Sequence, residues 1–123
     1  MDFPKKRILC VDDDSSVCDL VSYLLGGFEV ISASSKREAV RKASAHNFDL
    51  ILLDYHLPDG NGLELCLFIR QFDQETPILF ITATAFITKH EALAIGAQGL
   101  IKKGLELAND LAFTVERLVS RLS

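Results

Sequence analysis

Tryptophan is absent from this 123-residue chain, and cysteine and proline occur only three times each. The three cysteines (Cys10, Cys18 and Cys66) are an odd number without CxxC spacing, which argues against a disulfide framework or a zinc site and fits a reducing cytoplasm. No apolar run approaches the roughly 20 residues that a membrane span needs. The first residues, MDFPKKR, are followed by neither a long apolar stretch nor a small-residue cleavage site, so no secretory signal is expected. Basic residues are the minority, 13 against 17 acidic ones, for a net charge of −4. A groove for nucleic-acid phosphates rests on clustered Lys and Arg and is therefore not expected. No repeat, low-complexity tract or Pro/Gly/Ser linker interrupts the chain, so residues 1–123 are read as one domain.

What is present is the composition of a globule, 49% hydrophobic and 24% charged. Apolar periodicity switches back and forth along it. RILCV (7–11) reads as a strand that ends in Asp12, Asp13 and Asp14. Val17, Leu20, Val21 and Leu24 then recur as one helical stripe, capped by Asp14 or Ser15 and stopped at Gly26-Gly27. FEVIS (28–32) is a second strand, and a helix opened by Ser34 or Ser35 follows to about Ala45. DLILL (49–53) suits a central strand buried on both faces. LPDGNG (57–62) is a loop, and a helix over 63–72 carries Leu65, Ile69 and Phe72 on one side. PILFI (77–81), a short helix over 87–95, GLI (99–101) and a last helix from Leu105 to about Arg121 complete the alternation. Strands alternating with helices imply right-handed crossovers and a parallel sheet covered on both sides. The expected fold is a three-layer α/β sandwich with five parallel strands in the order 2-1-3-4-5.

In such sheets function sits at the carboxyl ends of the strands. The first strand ends in Asp12-Asp13, the third in Asp54, the fourth in Thr82, and Lys102-Lys103 follow the fifth. Strands one and three are neighbours in this order, so three carboxylates converge. They repel unless a cation is bound or protons are taken up. Oxygen-only donors suit Mg2+, and a hydroxyl and an ammonium beside them suit a phosphoryl group, with Asp54 as nucleophile. Singly, each residue has a plainer reading: a helix cap or turn carboxylate, a strand threonine, a surface lysine. Four of them at four strand ends favour the chemical reading.

These residues resemble the receiver domain of two-component response regulators, and the chain is similar to single-domain chemotaxis-type receivers. The matching segments are ILCVDDD (8–14), LILLDYHLPDGNG (50–62), ILFITATA (78–85) and GLIKKG (99–104). The resemblance implies a flavodoxin-like fold with Asp54 as phosphoacceptor. It implies that Asp12, Asp13, Asp54 and the backbone carbonyl of His56 hold Mg2+, that Thr82 bonds a phosphoryl oxygen, and that Lys103 pairs with Asp54. The donor would be the phosphohistidine of a sensor histidine kinase or phosphotransfer protein. The domain would catalyse its own phosphotransfer and dephosphorylation without being an enzyme in the usual sense. Two positions depart from the family: Gly104 stands where proline usually follows the lysine, and Leu100 where a switch Tyr or Phe is frequent.

Two rival readings share the acidic cluster. An Mg2+-dependent phosphatase or small hydrolase would need a substrate pocket and usually a cap insertion, for which the chain has no room. A receiver that is never phosphorylated would act only as an interaction module. The His56 side chain is expected at the rim of the site, and His46 and His90 on the surface. Cys10 and Cys66 are expected in the core and Cys18 exposed. On the last helix Leu107, Leu111, Val115 and Leu118 fall in one arc, extended sideways by Leu105, Ala108 and Ala112. Phe113 falls on the far side and is expected at a partner or homodimer contact.

Overall fold

Two different cores flank one sheet, and the strands feed both by simple alternation. The computed structural model describes residues 4–120. Its elements are β1 (Arg7–Val11), α1 (Ser15–Leu24), β2 (Glu29–Ala33), α2 (Lys36–Ala45), β3 (Leu50–Leu53), β4 (His56–Leu57), β5 (Gly60–Asn61), α3 (Gly62–Arg70), β6 (Ile78–Thr82), α4 (Lys89–Ala94), β7 (Gly99–Lys102) and α5 (Leu105–Ser120). The main sheet is parallel throughout, with strand order β2-β1-β3-β6-β7. This is the expected 2-1-3-4-5 topology, since β4 and β5 form a separate two-stranded antiparallel hairpin where the sequence suggested only a loop.

Successive residues of a strand point to opposite faces. Leu9, Val11, Ile51, Leu53, Ile78 and Phe80 therefore join the core under α2, α3 and α4. Ile8, Cys10, Leu50, Leu52, Leu79 and Ile81 join the core under α1 and α5. The three central strands are apolar on both faces because both faces are covered.

The helices start where side chains can accept their first N–H groups. Asp14 caps α1 through Ser16 N, Asn61 and Glu64 form a capping box on α3, and Thr88 and Glu91 do the same on α4. At α2 the work is divided. Ser35 accepts from Glu38 N at 3.1 Å, while the Asp59 carboxylate of the β4–β5 turn accepts from Lys36 N at 2.7 Å and Arg37 N at 2.9 Å.

The helical phases need four corrections. On α1 the buried stripe is Cys18, Val21 and Leu25, whereas Leu20 is 42% exposed; a thiol fills the inward position, rotating the face by one residue. Cys18 is thus buried, not exposed. Phe72 lies beyond the end of α3 and is half exposed, so only Leu65, Cys66 and Ile69 face inward there. On α5 the expected residues Leu107, Leu111, Val115 and Leu118 are buried, but the stripe continues through Val119, and Leu105, Ala108 and Ala112 are exposed. The expected last helical residue, Arg121, lies outside the described residues.

Candidate functional site

The carboxyl edge of the sheet is where the backbone of neighbouring parallel strands delivers the acidic residues side by side. Val11 of β1 lies opposite Leu53 of β3, and Asp54 N donates to Val11 O at 2.9 Å. Asp12 and Asp54, the next residue on each strand, are therefore adjacent. Both are buried, at 3% and 6% exposure, while Asp13 is exposed. One carboxylate oxygen from each of Asp12, Asp13 and Asp54 lies within 4.8 Å of the others.

Each buried carboxylate spends one oxygen locally and aims the other into the cluster. Asp12 Oδ1 accepts from Asp14 N at 2.9 Å, and Asp54 Oδ1 accepts from Tyr55 N at 2.8 Å. Lys103 reaches in from the end of β7, its Nζ 2.7 Å from Asp12 Oδ2 and 3.3 Å from Asp54 Oδ2. The ion pair with Lys103 is the compensation for that fully buried Asp12 oxygen. Three carboxylates against one ammonium leave two negative charges, and the donors are oxygen only. That donor set fits Mg2+, a hard cation bound through one or two carboxylates with waters and phosphate oxygens completing its shell.

The electrostatics follow from burial. Loss of water, and then the charge of Asp12, push the Asp54 carboxyl above the usual carboxylate range; Lys103 and the Tyr55 N–H pull the other way without cancelling this. Burial works against the charged form of Lys103, but its contacts with Asp12 and Asp54 outweigh that and hold its pKa above the ordinary lysine value. Lys102, its neighbour, is exposed on the other side of the chain, as strand alternation requires.

Thr82 is buried at the end of β6, opposite Lys102 in the register, and its carbonyl accepts from Lys103 N at 3.0 Å. Its Oγ1 accepts from Thr84 N at 3.2 Å, which leaves the hydroxyl proton to donate elsewhere. His56 opens the hairpin two residues after Asp54, with its exposed ring at the rim as expected. There it meets Tyr55 edge-on at 5.1 Å and Phe86 edge-on at 5.5 Å, while Tyr55 and Phe86 stack at 6.1 Å. His46 and His90 are exposed.

One contributor was not singled out from the sequence. Gly62, the first residue of α3, packs so closely on Asp54 that a Cβ there would overlap the Asp54 carbonyl oxygen and stand 2.9 Å from the Phe80 ring. Its N–H donates to Tyr55 O at 2.6 Å, which ties the start of α3 to the strand end carrying Asp54. The GNG of the loop was the available signal, since a glycine inside a helix start asks for a reason. Gly104 has φ +105, a conformation that glycine adopts without strain, and all peptide bonds among the described residues are trans.

Comparison with known proteins agrees with this geometry. The family model for the response regulator receiver domain matches residues 8–113. The response regulator protein PilR of Pseudomonas aeruginosa is 34% identical over 119 residues, covering 93% of this chain and 27% of PilR. The chain spans between about a seventh and a half of the length of the curated relatives it matches. Among solved structures, the chemotaxis response regulator CheY4 of Vibrio cholerae superposes with a TM-score of 0.82 at 34% identity, covering 94% of this chain and 99% of CheY4. The response regulator TrrA of Thermotoga maritima, solved in complex with Mg(2+)-BeF, gives a TM-score of 0.81 at 30% identity, covering 92% of this chain and 98% of TrrA.

Proposed function

The chain belongs to the response regulator receiver domain family, and from that premise we propose that it accepts a phosphoryl group onto Asp54 from the phosphohistidine of a sensor histidine kinase or phosphotransfer protein. The observation that carries this reading is the burial of Asp54 beside two further carboxylates and one ammonium at the sheet's carboxyl edge. Residues 1–123 act as one receiver domain in this reading. We place it in the cytoplasm, where the free thiols stay reduced. No helix among the described residues is long and apolar enough to cross a membrane.

Asp54 attacks phosphorus through a carboxylate oxygen while the P–N bond to the donor imidazole breaks, its electron pair staying on the imidazole nitrogen. Such a transfer needs positioning and charge neutralisation more than covalent help from the protein. Mg2+ would be held by Asp13, Asp54, Asp12 and the His56 carbonyl, and when bound it would neutralise charge on the phosphoryl oxygens. Lys103 is already against Asp54 Oδ2 and can follow the charge as it moves onto the phosphoryl group. The Thr82 hydroxyl, with its proton unspent, donates to a second phosphoryl oxygen. The phosphorylated domain then favours another arrangement of the α4–β7–α5 face.

Incubation with a small phosphodonor and Mg2+ should raise the intact mass by one phosphoryl group, and Asp54→Asn should abolish the gain. Undiminished labelling of that variant would overturn the assignment. Because Asp54 must be ionised to attack, the labelling rate should climb with pH through the carboxylate range. Stability should run the opposite way. A carboxyl whose folded pKa is raised contributes stability below its unfolded value, about 3.9, and loses it as pH rises through the folded value. At neutral pH, Asp54→Asn should therefore melt higher than the native chain, by roughly 2–5 °C, with the gap closing in acid. Both are read from melting curves in a pH series.

The homodimer contact we place on α5. Phe113 is 72% exposed, with the Arg117 guanidinium 6.0 Å from its ring centroid. Apolar area at a contact outweighs the weak, screened pairs that the surrounding charges would make. Phe113→Lys should leave the melting temperature within about 2 °C while weakening self-association of the phosphorylated form in sedimentation velocity. A large loss of stability would show that Phe113 serves the fold.

A further inference from the structure

Cys10 lies on β1 two residues before Asp12, and Cys18 lies on α1, both inside the core under α1 and α5. Nothing in the phosphoryl chemistry uses them. Their Sγ atoms are 3.1 Å apart, and Cys18 Sγ is 3.5 Å from the Cys10 carbonyl oxygen. Non-bonded carbon atoms rest at about 3.5–4.0 Å, and sulfur is the larger atom, so this is closer than apolar filling requires. A disulfide needs the sulfurs at about 2.05 Å, roughly one ångström nearer. Cys66 sits in the opposite core, with the sheet between it and the pair.

We propose that Cys10 and Cys18 are a modification site: a dithiol that a hydroperoxide converts into a reversible disulfide within the chain. Cys18 is the attacking group, because it keeps 6% exposure against 0% for Cys10. Its Sγ also stands nearest the Cys10 sulfur and carbonyl oxygen, so the partner thiol is already in place for the second step. Its sulfur attacks the peroxide, the O–O bond breaks, and a sulfenic acid and water form once the thiol proton is passed on. Cys10 then attacks that sulfur, the S–O bond breaks, and a second water leaves with the Cys10 proton. Overall two thiols are oxidised and one hydroperoxide is reduced to water, or to water and an alcohol. Exchange with an external thiol reverses the bond.

The placement has a consequence for the neighbouring acids. The bond closes a ring from residue 10 to residue 18 that contains Asp12, Asp13 and Asp14. Drawing α1 toward β1 displaces the turn that carries two of the three carboxylates. This second step rests on the Mg2+ reading above; the disulfide itself does not.

The test uses the full chain treated with hydrogen peroxide under native conditions. The expected result is a mass loss of two hydrogen atoms and a Cys10–Cys18 crosslinked peptide under non-reducing digestion. Both should persist in Cys66→Ser, vanish in Cys18→Ala, and be undone by dithiothreitol. A folded chain that gains only oxygen atoms, or that crosslinks through Cys66, would overturn the proposal. Titration with Mg2+ alone should then show the oxidised chain binding about tenfold more weakly than the reduced one, as when an outer support of a metal site is disturbed. Equal affinities would overturn the link to the acids. Loss of phosphodonor labelling at Asp54 would bear on the receiver reading and not on the crosslink.

Discussion

Gly62→Ala should cost about 3 kcal/mol of stability and slow phosphodonor labelling of Asp54 by about 100-fold, the scale of an ångström-size misplacement. A single methyl does this because there is nowhere for it to go. It would overlap the Asp54 carbonyl oxygen and press on Phe80, which is fully buried between β6 and α3. Neither neighbour is the free end of a flexible chain. Relief therefore requires α3 to lift or the end of β3 to move, and the second carries the nucleophile with it. Gly27→Ala is the internal control, since a Cβ at Gly27 meets nothing within 4 Å. Chemical unfolding of both variants, with labelling followed by intact mass, checks the expectation. Equal stabilities would mean that the close approach of α3 to Asp54 is not what limits this position.

Lys103→Ala should be the more informative loss. It removes the ammonium that, among the described residues, touches both Asp12 and Asp54, leaving two buried carboxylates facing each other. Removing one partner of a buried ion cluster costs about 3–5 kcal/mol, and the lower end is expected here because Lys103 itself is partly exposed. The deficit must depend on pH. Without the lysine, which lowers the Asp54 pKa in the native chain, that pKa rises further. In acid Asp54 is protonated and little is lost; as pH rises its charge forms beside Asp12 and stability falls away. Mg2+ should restore part of it by taking over the countercharge. Lys102→Ala, at an exposed position, should stay within about 0.5 kcal/mol at every pH. Stability curves for both variants from acid to neutral pH decide the matter. A pH-independent deficit in Lys103→Ala would assign the effect to its methylene packing, and a larger effect at Lys102 would shift the register after β7 by one.

The sheet was legible because burial on both faces leaves unbroken apolar runs, and RILCV, LILL and ILFIT carry that signature without competition. The acidic edge followed from it. Once β1 and β3 are neighbours, residues 12 and 54 must be adjacent, whatever their side chains do. Helical phase was harder to read where a small residue faces inward. Cys18 offers a smaller apolar surface than Leu20, yet it is Cys18 that α1 buries and Leu20 that stays half exposed. The hairpin β4–β5 was hidden because two-residue strands have no periodicity to detect. Gly62 was hidden for another reason: its importance lies in an atom it does not have, next to a residue eight positions earlier.

The division of labour at the start of α2 sets an order in time. Ser35 is available as soon as α2 is made, but the carboxylate that receives the Lys36 and Arg37 amides arrives 23 and 22 residues later, on the turn that follows Asp54. On a ribosome, at roughly 5–20 residues per second, the first turn of α2 must wait seconds for its remaining partner. Until then it can fray without cost to anything downstream. The helix and the phosphoacceptor loop are in this sense completed by the same event, the closure of one short hairpin.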